Sequence, residues 1–247
     1  MPITVAGPHR YEARVLPFVT PDDAHDVSVA AFELGSMNDI VAELSSEAVP
    51  RPAWLARAAP RRVAEFLAGR RACALALEAC GCACPAPVAR NADGSPAWPA
   101  GFVGSLTHGA GLATALAAPR SRYESLGIDA EYVLSAAAEA EVRSTIASPE
   151  ELRRLESVAK RPLGRALLTI VFSAKESVFK CLYPLVGNLF GFEHAEIIEL
   201  SAAADGTGDF RIRLVRPLGG RFAAGWEHRG RFSVTGARVQ TAIGIRA

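Results

Sequence analysis

This chain carries almost no net charge. Its 27 basic and 26 acidic residues leave +1 over 247 positions. That argues against nucleic-acid binding driven by bulk charge, though a local basic pocket stays open. Apolar runs approaching the roughly 20 residues of a membrane span are missing. The start, Met1-Pro2-Ile3-Thr4, lacks the charged and apolar regions of a signal peptide. The expectation is a cytoplasmic protein with no nucleic-acid or membrane partner. Cysteines number five, an odd count that favours free thiols. Cys80, Cys82 and Cys84 cluster with no Cys or His at zinc spacing nearby. They read as a small-residue helix end before the Pro85/Pro87 turn. There is no internal sequence repeat and no low-complexity tail.

What the chain has in quantity is hydrophobic residues, half of its length. That is enough for one large domain or two small lobes. Arg14 to Val19 reads as a strand and Ala30 to Leu44 as a mixed loop and helix. Pro50, Pro52 and Pro60 punctuate the exit from that region. Pro60 suits the first turn of a helix, and Val63, Phe66, Leu67, Ala74 and Leu77 continue it at helical spacing. Arg61, Arg62, Arg70 and Arg71 lie on that helix, either as a solvated face or as a charge group with a ligand. Residues 85–101 form a Pro/Gly-rich loop carrying Arg90, with Trp98 as an anchor.

Phe102 to His108 reads as a strand running into the turn Gly109-Ala110-Gly111. Leu112 to Ala118 and Leu126 to Glu131 read as two more. The pattern then turns helical over Ala136 to Ile146, and again from Pro149 with Ser148 as cap. A long helix is expected over Pro162 to Leu185. Alternation over roughly 194–246 gives antiparallel strands. Helix and strands thus occur twice about a midpoint near residue 120, which predicts an α+β fold with lobes 1–118 and 119–247.

The centre of the chain is Phe172-Ser173-Ala174-Lys175-Glu176-Ser177-Val178-Phe179-Lys180. It lies in a long apolar run, read as one buried helix closed by Pro184 and Gly187. Burial makes its charges costly unless they are paired or hold a ligand. Glu176 and Lys180 are four apart and share a helix face, which fits a plain ion pair as well as a site. Upstream, Leu126 to Glu131 is an apolar strand ending in two carboxylates. Asp129 and Glu131 are two apart, hence on one strand face. Three carboxylates without His or Cys suit Mg²⁺ or Mn²⁺, and Mg²⁺ at such a site usually holds substrate phosphate oxygens too. Arg62, Arg70, Arg90 and His108 can then neutralise a multiply phosphorylated ligand, arginine by paired hydrogen bonds. Lys180 can meet the charge developing on a leaving phosphate. A metal-dependent phosphohydrolase would use the same carboxylates, and a non-catalytic binding module would use the same cations.

Three blocks, Gly104-Ser105-Leu106-Thr107-His108, Gly127-Ile128-Asp129-Ala130-Glu131 and Phe172 to Lys180, resemble in order and spacing the motifs of Sfp-type 4′-phosphopantetheinyl transferases. Arg62 to Leu77, Asp93-Gly94-Ser95-Pro96-Ala97-Trp98-Pro99 and Leu189-Phe190-Gly191-Phe192 are similar to the enterobactin-synthetase-component-D-like branch of actinobacteria. The likeness covers roughly residues 60–200.

The resemblance implies a pseudo-twofold α+β fold of two similar lobes with coenzyme A between them, and a monomer is expected. It implies transfer of the phosphopantetheine arm to a serine of apo acyl or peptidyl carrier proteins, releasing 3′,5′-ADP. By position, Asp129, Glu131 and Glu176 bind Mg²⁺ (Mn²⁺ as an alternative), with Ala130 offering only its carbonyl. Glu176 is the base for the carrier serine, directly or through water, Lys180 assists the leaving phosphate, and Lys175 contacts the pyrophosphate. Arg62 and Arg70 hold the 3′-phosphate. Arg90 and the loop through Asp93 match adenine-side contacts, and Thr107 and His108 match phosphate contacts. Phe172 stands where many relatives have Trp, a change of packing.

Overall fold

The computed structural model describes residues 4–5, 11–12, 27–34, 41, 51–83, 87–158 and 163–247. The strand expected over Arg14 to Val19, the turn at Cys84 and Pro85, and the expected helix start at Pro162 lie outside them. The chain divides into two compact units, one centred on Thr20–Glu124 with Arg246–Ala247 added, the other on Ser125–Ile245.

Small side chains set how the first unit packs. Helix α1, Pro60–Ala79, has Pro60 at its start, where a missing N–H costs nothing. Its Ala64, Ala68, Ala72 and Ala76 are buried with Leu67 and Leu77 against Ala113, Ala115 and Ala117 of the sheet, so helix and sheet lie close. The strands are β1 (Thr4–Val5), β2 (Tyr11–Glu12), β3 (Ser28–Glu33), β6 (Phe102–Gly109) and β7 (Leu112–Pro119), in the order β1-β2-β3-β7-β6. Part of the expected loop and helix after Ala30 is therefore strand. Ala30 and Phe32 alternate inward to meet α1, a short signal beside the helical residues around it. β6 and β7 pair antiparallel from Phe102 opposite Pro119 to Gly109 opposite Leu112. Ala110 and Gly111 turn between them with φ of 52° and 71°. This is the tight hairpin whose twist matches its strands. A small hairpin, β4 (Ala89–Arg90) with β5 (Pro96–Ala97), carries the loop around Asp93.

The second unit packs one long helix on an antiparallel sheet. β8 (Tyr123–Tyr132), β9 (Ala195–Ala202), β10 (Thr207–Leu214), β11 (Glu227–Thr235) and β12 (Arg238–Arg246) follow the order β8-β12-β11-β10-β9. Helix α2, Ala136–Ile146, is capped by Ser135, which accepts from the Ala138 N–H. In α3, Pro149–Val158, Ser148 caps by accepting from the Glu151 N–H at 3.1 Å. Helix α4 spans Leu167–Val186, after a short 3₁₀ turn at Gly164–Ala166. Pro184 does not close it but lies inside the last turn, and Gly187 ends it with φ of 72°, a left-handed cap that suits glycine. Among the described residues no helix is long and apolar enough to cross a membrane.

Gly127 fixes how β8 meets α4. A Cβ built there would stand 1.9 Å from the Ser177 carbonyl oxygen. Only glycine lets strand and helix approach this closely, and the approach sets the functional residues of both segments side by side.

Candidate active site

Asp129 and Glu131 come from β8, Glu176 and Lys180 from one face of α4. The Lys180 ammonium donates to Asp129 Oδ1 at 2.7 Å across 51 positions of sequence. Asp129 is buried and Glu131 and Glu176 are half-buried. Burial pushes the Glu131 carboxyl up to about 7; Asp129 adds to this, Lys180 opposes it, and Glu176 adds again. Burial also raises Glu176, with Asp129 acting the same way and Lys180 against it. These couplings put four charged groups in one cluster. Three carboxylates outnumber the ammonium, so the cluster is short of positive charge. Ala130, fully buried between Asp129 and Glu131, has only its backbone carbonyl to offer.

As they are placed, no group of three Asp, Glu, His or Cys side chains among the described residues could hold a metal ion, and the Lys180 ammonium lies on Asp129. The donor set is nonetheless all hard oxygen, the kind that Mg²⁺ and Mn²⁺ take. Burial and the neighbouring carboxylates push Glu131 and Glu176 up together, so a further cation placed beside them would oppose that push.

Lys175 is not brought to this cluster. Its ammonium donates to Ile146 O at 2.8 Å, Glu151 Oε2 at 2.8 Å and Phe192 O at 3.4 Å. Those three bonds use all its N–H donors, so the arrangement leaves none for the pyrophosphate contact expected of it. One position along a helix turns a side chain by about 100°, which aims the Lys175 ammonium at α2 and α3 although Lys175 and Glu176 line the same pocket. Nothing in the sequence singles out Glu151, because its partner lies 24 positions away.

Lys175 and Glu176 both line a pocket of about 310 Å³, walled further by Phe179, Leu189, Phe190, Gly191, Phe192 and Ala195. Its rings pack on one another: Phe179 on Phe190 at 5.2 Å, Phe172 on Phe192 at 5.6 Å between centroids. Leu189 is 80 % exposed. Phe190 and Phe192 are half-buried against the core, so the aromatic stretch is pocket wall and core at once.

The first unit holds a second, basic pocket of about 580 Å³, lined by Arg51, Trp54, Phe66, Arg70 and Arg90 among others. Arg62 and Arg90 each lie 5.9 Å from the Trp54 ring, and Arg70 lies 4.8 Å from the Phe66 ring, distances at which a cation is drawn to an aromatic face. Arg70 is buried and its Nη1 has no hydrogen-bond partner. Burial pulls it below its ordinary value, Cys73 opposes that, and Arg90 pushes it down further. Such a cation is one that an incoming anion would satisfy. Arg62 is exposed and pairs loosely with Glu65 at 3.5 Å. Arg51 and Trp54 escape a reading of the sequence because their stretch shows only proline punctuation.

The remaining expected contacts divide. The His108 ring packs against α1 at Gly69, where an added Cβ would lie 2.2 Å from Nε2. Thr107 is buried in β6 opposite Thr114. Asp93 Oδ1 accepts from the Ser95 N–H at 2.9 Å and the Ser95 hydroxyl at 2.7 Å, so it folds its own loop. Arg90 Nε donates to Gly94 O at 3.3 Å across that hairpin. Cys73, Cys80, Cys82 and Cys181 are free thiols, as the odd count suggested.

The chain was compared with known proteins. Residues 50–118 match the 4′-phosphopantetheinyl transferase N-terminal domain, and residues 125–227 match the 4′-phosphopantetheinyl transferase superfamily. The chain is 37 % identical over 198 residues to 4′-phosphopantetheinyl transferase Svp of Streptomyces mobaraensis, covering 79 % of this chain and 77 % of that one. It is 36 % identical over 194 residues to 4′-phosphopantetheinyl transferase PptT of Mycobacterium tuberculosis, covering 76 % and 82 %. Over 185 residues it is 32 % identical to enterobactin synthase component D of Salmonella typhi, covering 75 % and 74 %. The chain belongs to the 4′-phosphopantetheinyl transferase superfamily of enzymes.

Proposed function

We propose that this protein transfers the 4′-phosphopantetheine arm of coenzyme A to a serine of apo acyl or peptidyl carrier proteins, releasing 3′,5′-ADP in a Mg²⁺-dependent reaction. The observation that carries the reading is the cluster of Asp129, Glu131 and Glu176 around Lys180, with two of its carboxyls pushed upward. Asp129, Glu131 and Glu176 would hold Mg²⁺, with Ala130 contributing a backbone oxygen at most. The ion, when bound, supplies charge stabilisation to the pyrophosphate oxygens as the bond to 3′,5′-ADP breaks.

The chain's own groups do the rest. Glu176, half-buried at the mouth of the aromatic pocket, takes the proton of the carrier serine hydroxyl, directly or through one water, and its raised affinity for protons suits a base. Lys180 then turns its ammonium to the leaving phosphate and offsets the negative charge that forms there. The pocket of Phe179, Leu189, Phe190 and Phe192 receives the apolar surface around the acceptor serine. Arg70 and Arg62 hold the 3′-phosphate, and Arg90 and Trp54 flank the adenine side.

The test is a mixture of the protein, coenzyme A, Mg²⁺ and an apo carrier domain. The carrier should gain the mass of one phosphopantetheine arm, with equimolar 3′,5′-ADP, and chelation of Mg²⁺ should stop both. Hydrolysis of coenzyme A without a mass gain would instead make the protein a phosphohydrolase.

A further inference from the structure

The buried pair of Lys175 and Glu151 has no part in the chemistry above, although it adjoins the catalytic face. The two side chains are 3 % and 1 % exposed and meet at 2.8 Å. Their other bonds reach three separate elements. Lys175 ties α4 to the end of α2 through Ile146 O and to the pocket wall through Phe192 O. Glu151, on α3, accepts from the Ile197 N–H of β9 at 2.7 Å with its other oxygen. Phe192 in turn seats its ring on Phe172 of α4, one residue after Gly191, which is also in the wall.

Stability does not account for the pair. Burial works against charge on both partners, raising Glu151 and lowering Lys175, with their mutual attraction opposing it. Apolar residues of similar volume often serve such a position as well or better. What an apolar pair cannot do is donate to two carbonyls and accept from one amide at once, in directions fixed by charge-assisted hydrogen bonds.

We propose that Lys175 and Glu151 are a positioning pair that holds the Phe192 wall of the aromatic pocket in register with Glu176, and that neither touches the transferred group. Because Lys175 precedes Glu176 on α4, the wall is held from the helix that carries the base. A carrier serine entering along that wall is thereby delivered to Glu176 at a fixed distance. This assignment rests on the transferase reading for its consequence in catalysis, but not for the contacts themselves.

The experiment compares the full chain with its Lys175→Met and Glu151→Gln variants. Glu151→Gln keeps an oxygen for the Ile197 amide and a neutral bond to Lys175 while removing the charge. Three quantities are read: coenzyme A affinity by calorimetry, kcat and KM for an apo peptidyl carrier domain, and amide hydrogen exchange over residues 187–197. Misplacing a reacting group by about 1 Å can cost roughly a hundredfold, so a rise in carrier KM of about tenfold or more is expected in both variants. Coenzyme A affinity should hold within about twofold, since no bond to it is lost. Exchange over 187–197 should quicken in both. A fall in coenzyme A affinity with carrier KM unchanged would return Lys175 to the pyrophosphate and overturn the proposal. So would unchanged exchange, or a normal carrier KM in Glu151→Gln. If Lys175→Met does not fold, Glu151→Gln decides alone. If the unsubstituted protein modifies no carrier, the transferase reading fails, while the exchange data still decide whether the pair holds the wall.

Discussion

The basic pocket of the first unit and the carboxylate cluster of the second are both unbalanced in charge, but they are held in different ways. In the first, Arg70 comes from a helix and Arg90 from a short hairpin, with Arg62 of the same helix near the Trp54 ring that lines it, and each of the three lies over an aromatic ring. Only Arg70 of the three is buried. In the second, the charges come from a strand and a helix 51 positions apart, brought together by the close approach at Gly127. Burial first, and then the Asp129 carboxylate, raises Glu131 and Glu176. On the proposed function, the first would grip an anion and the second would change its charge state when a cation and substrate arrive. Substitutions should separate the two: losses in the basic pocket should fall on affinity, losses in the cluster on turnover.

The sharpest division should come from Glu176→Gln. Glutamine keeps the shape and one oxygen ligand but removes the negative charge and the basicity. Turnover should fall by about a hundredfold or more, the range for a lost general base, while coenzyme A binding changes little. Saturating Mg²⁺ or Mn²⁺ should fail to restore the rate. Full rescue by excess metal would make Glu176 a ligand only and erase the distinction drawn for that residue.

Arg70→Ala should do the reverse. It removes a charge-assisted contact worth about 1.5–3 kcal/mol, and so should weaken coenzyme A by roughly ten- to a hundredfold with kcat nearly kept. 3′-Dephospho-coenzyme A should be affected far less. Equal weakening of both ligands, measured by calorimetry, would take Arg70 off the 3′-phosphate.

A smaller effect tests whether the basic pocket depends on packing as the cluster does. In Gly69→Ala the new Cβ would meet His108 Nε2 at 2.2 Å, and the ring, being the end of a side chain, should swing aside. Loss of one neutral hydrogen bond of about 0.5–1.5 kcal/mol predicts coenzyme A affinity lower by roughly three- to tenfold, with the melting temperature close to the parent's. Unchanged affinity would remove His108 from the ligand.

The range of the interactions decides how much of this is legible in sequence. α2 and the start of α3 can be read because Ser148, Pro149 and the apolar spacing are local signals, and the helix over Ala136–Ile146 lies at the expected residues. Asp129, Glu131, Glu176 and Lys180 can be read because a strand end and a helix face each sort their own residues, whatever the tertiary contacts. Lys175 cannot. Its neighbour Glu176 suggests a shared task, whereas the helical turn between them and the pairing with Glu151 send it into the core. Arg51 and Trp54 join their pocket only through folding, and Ala30 to Glu33 look helical beside residues that favour a helix until β7 pairs with them.

The smallest effect concerns pH and the cluster alone. Glu131 is pushed up to about 7, so near neutrality the metal-free protein holds a proton there for about half of the time. A divalent cation that uses Glu131 must displace that proton, because only the carboxylate is a ligand. Between pH 7 and pH 6 apparent Mg²⁺ affinity should therefore fall about fivefold, while above pH 7 the affinity should level off. Between pH 8 and pH 7 the change should be only about twofold. Calorimetric Mg²⁺ titrations at pH 6, 7 and 8, each in two buffers of different ionisation enthalpy, would count the protons released. Release approaching one at pH 6 and vanishing by pH 8 is the expected result. A flat Mg²⁺ affinity with no proton release would remove Glu131 from the ligand set and leave Asp129 and Glu176 to hold the ion.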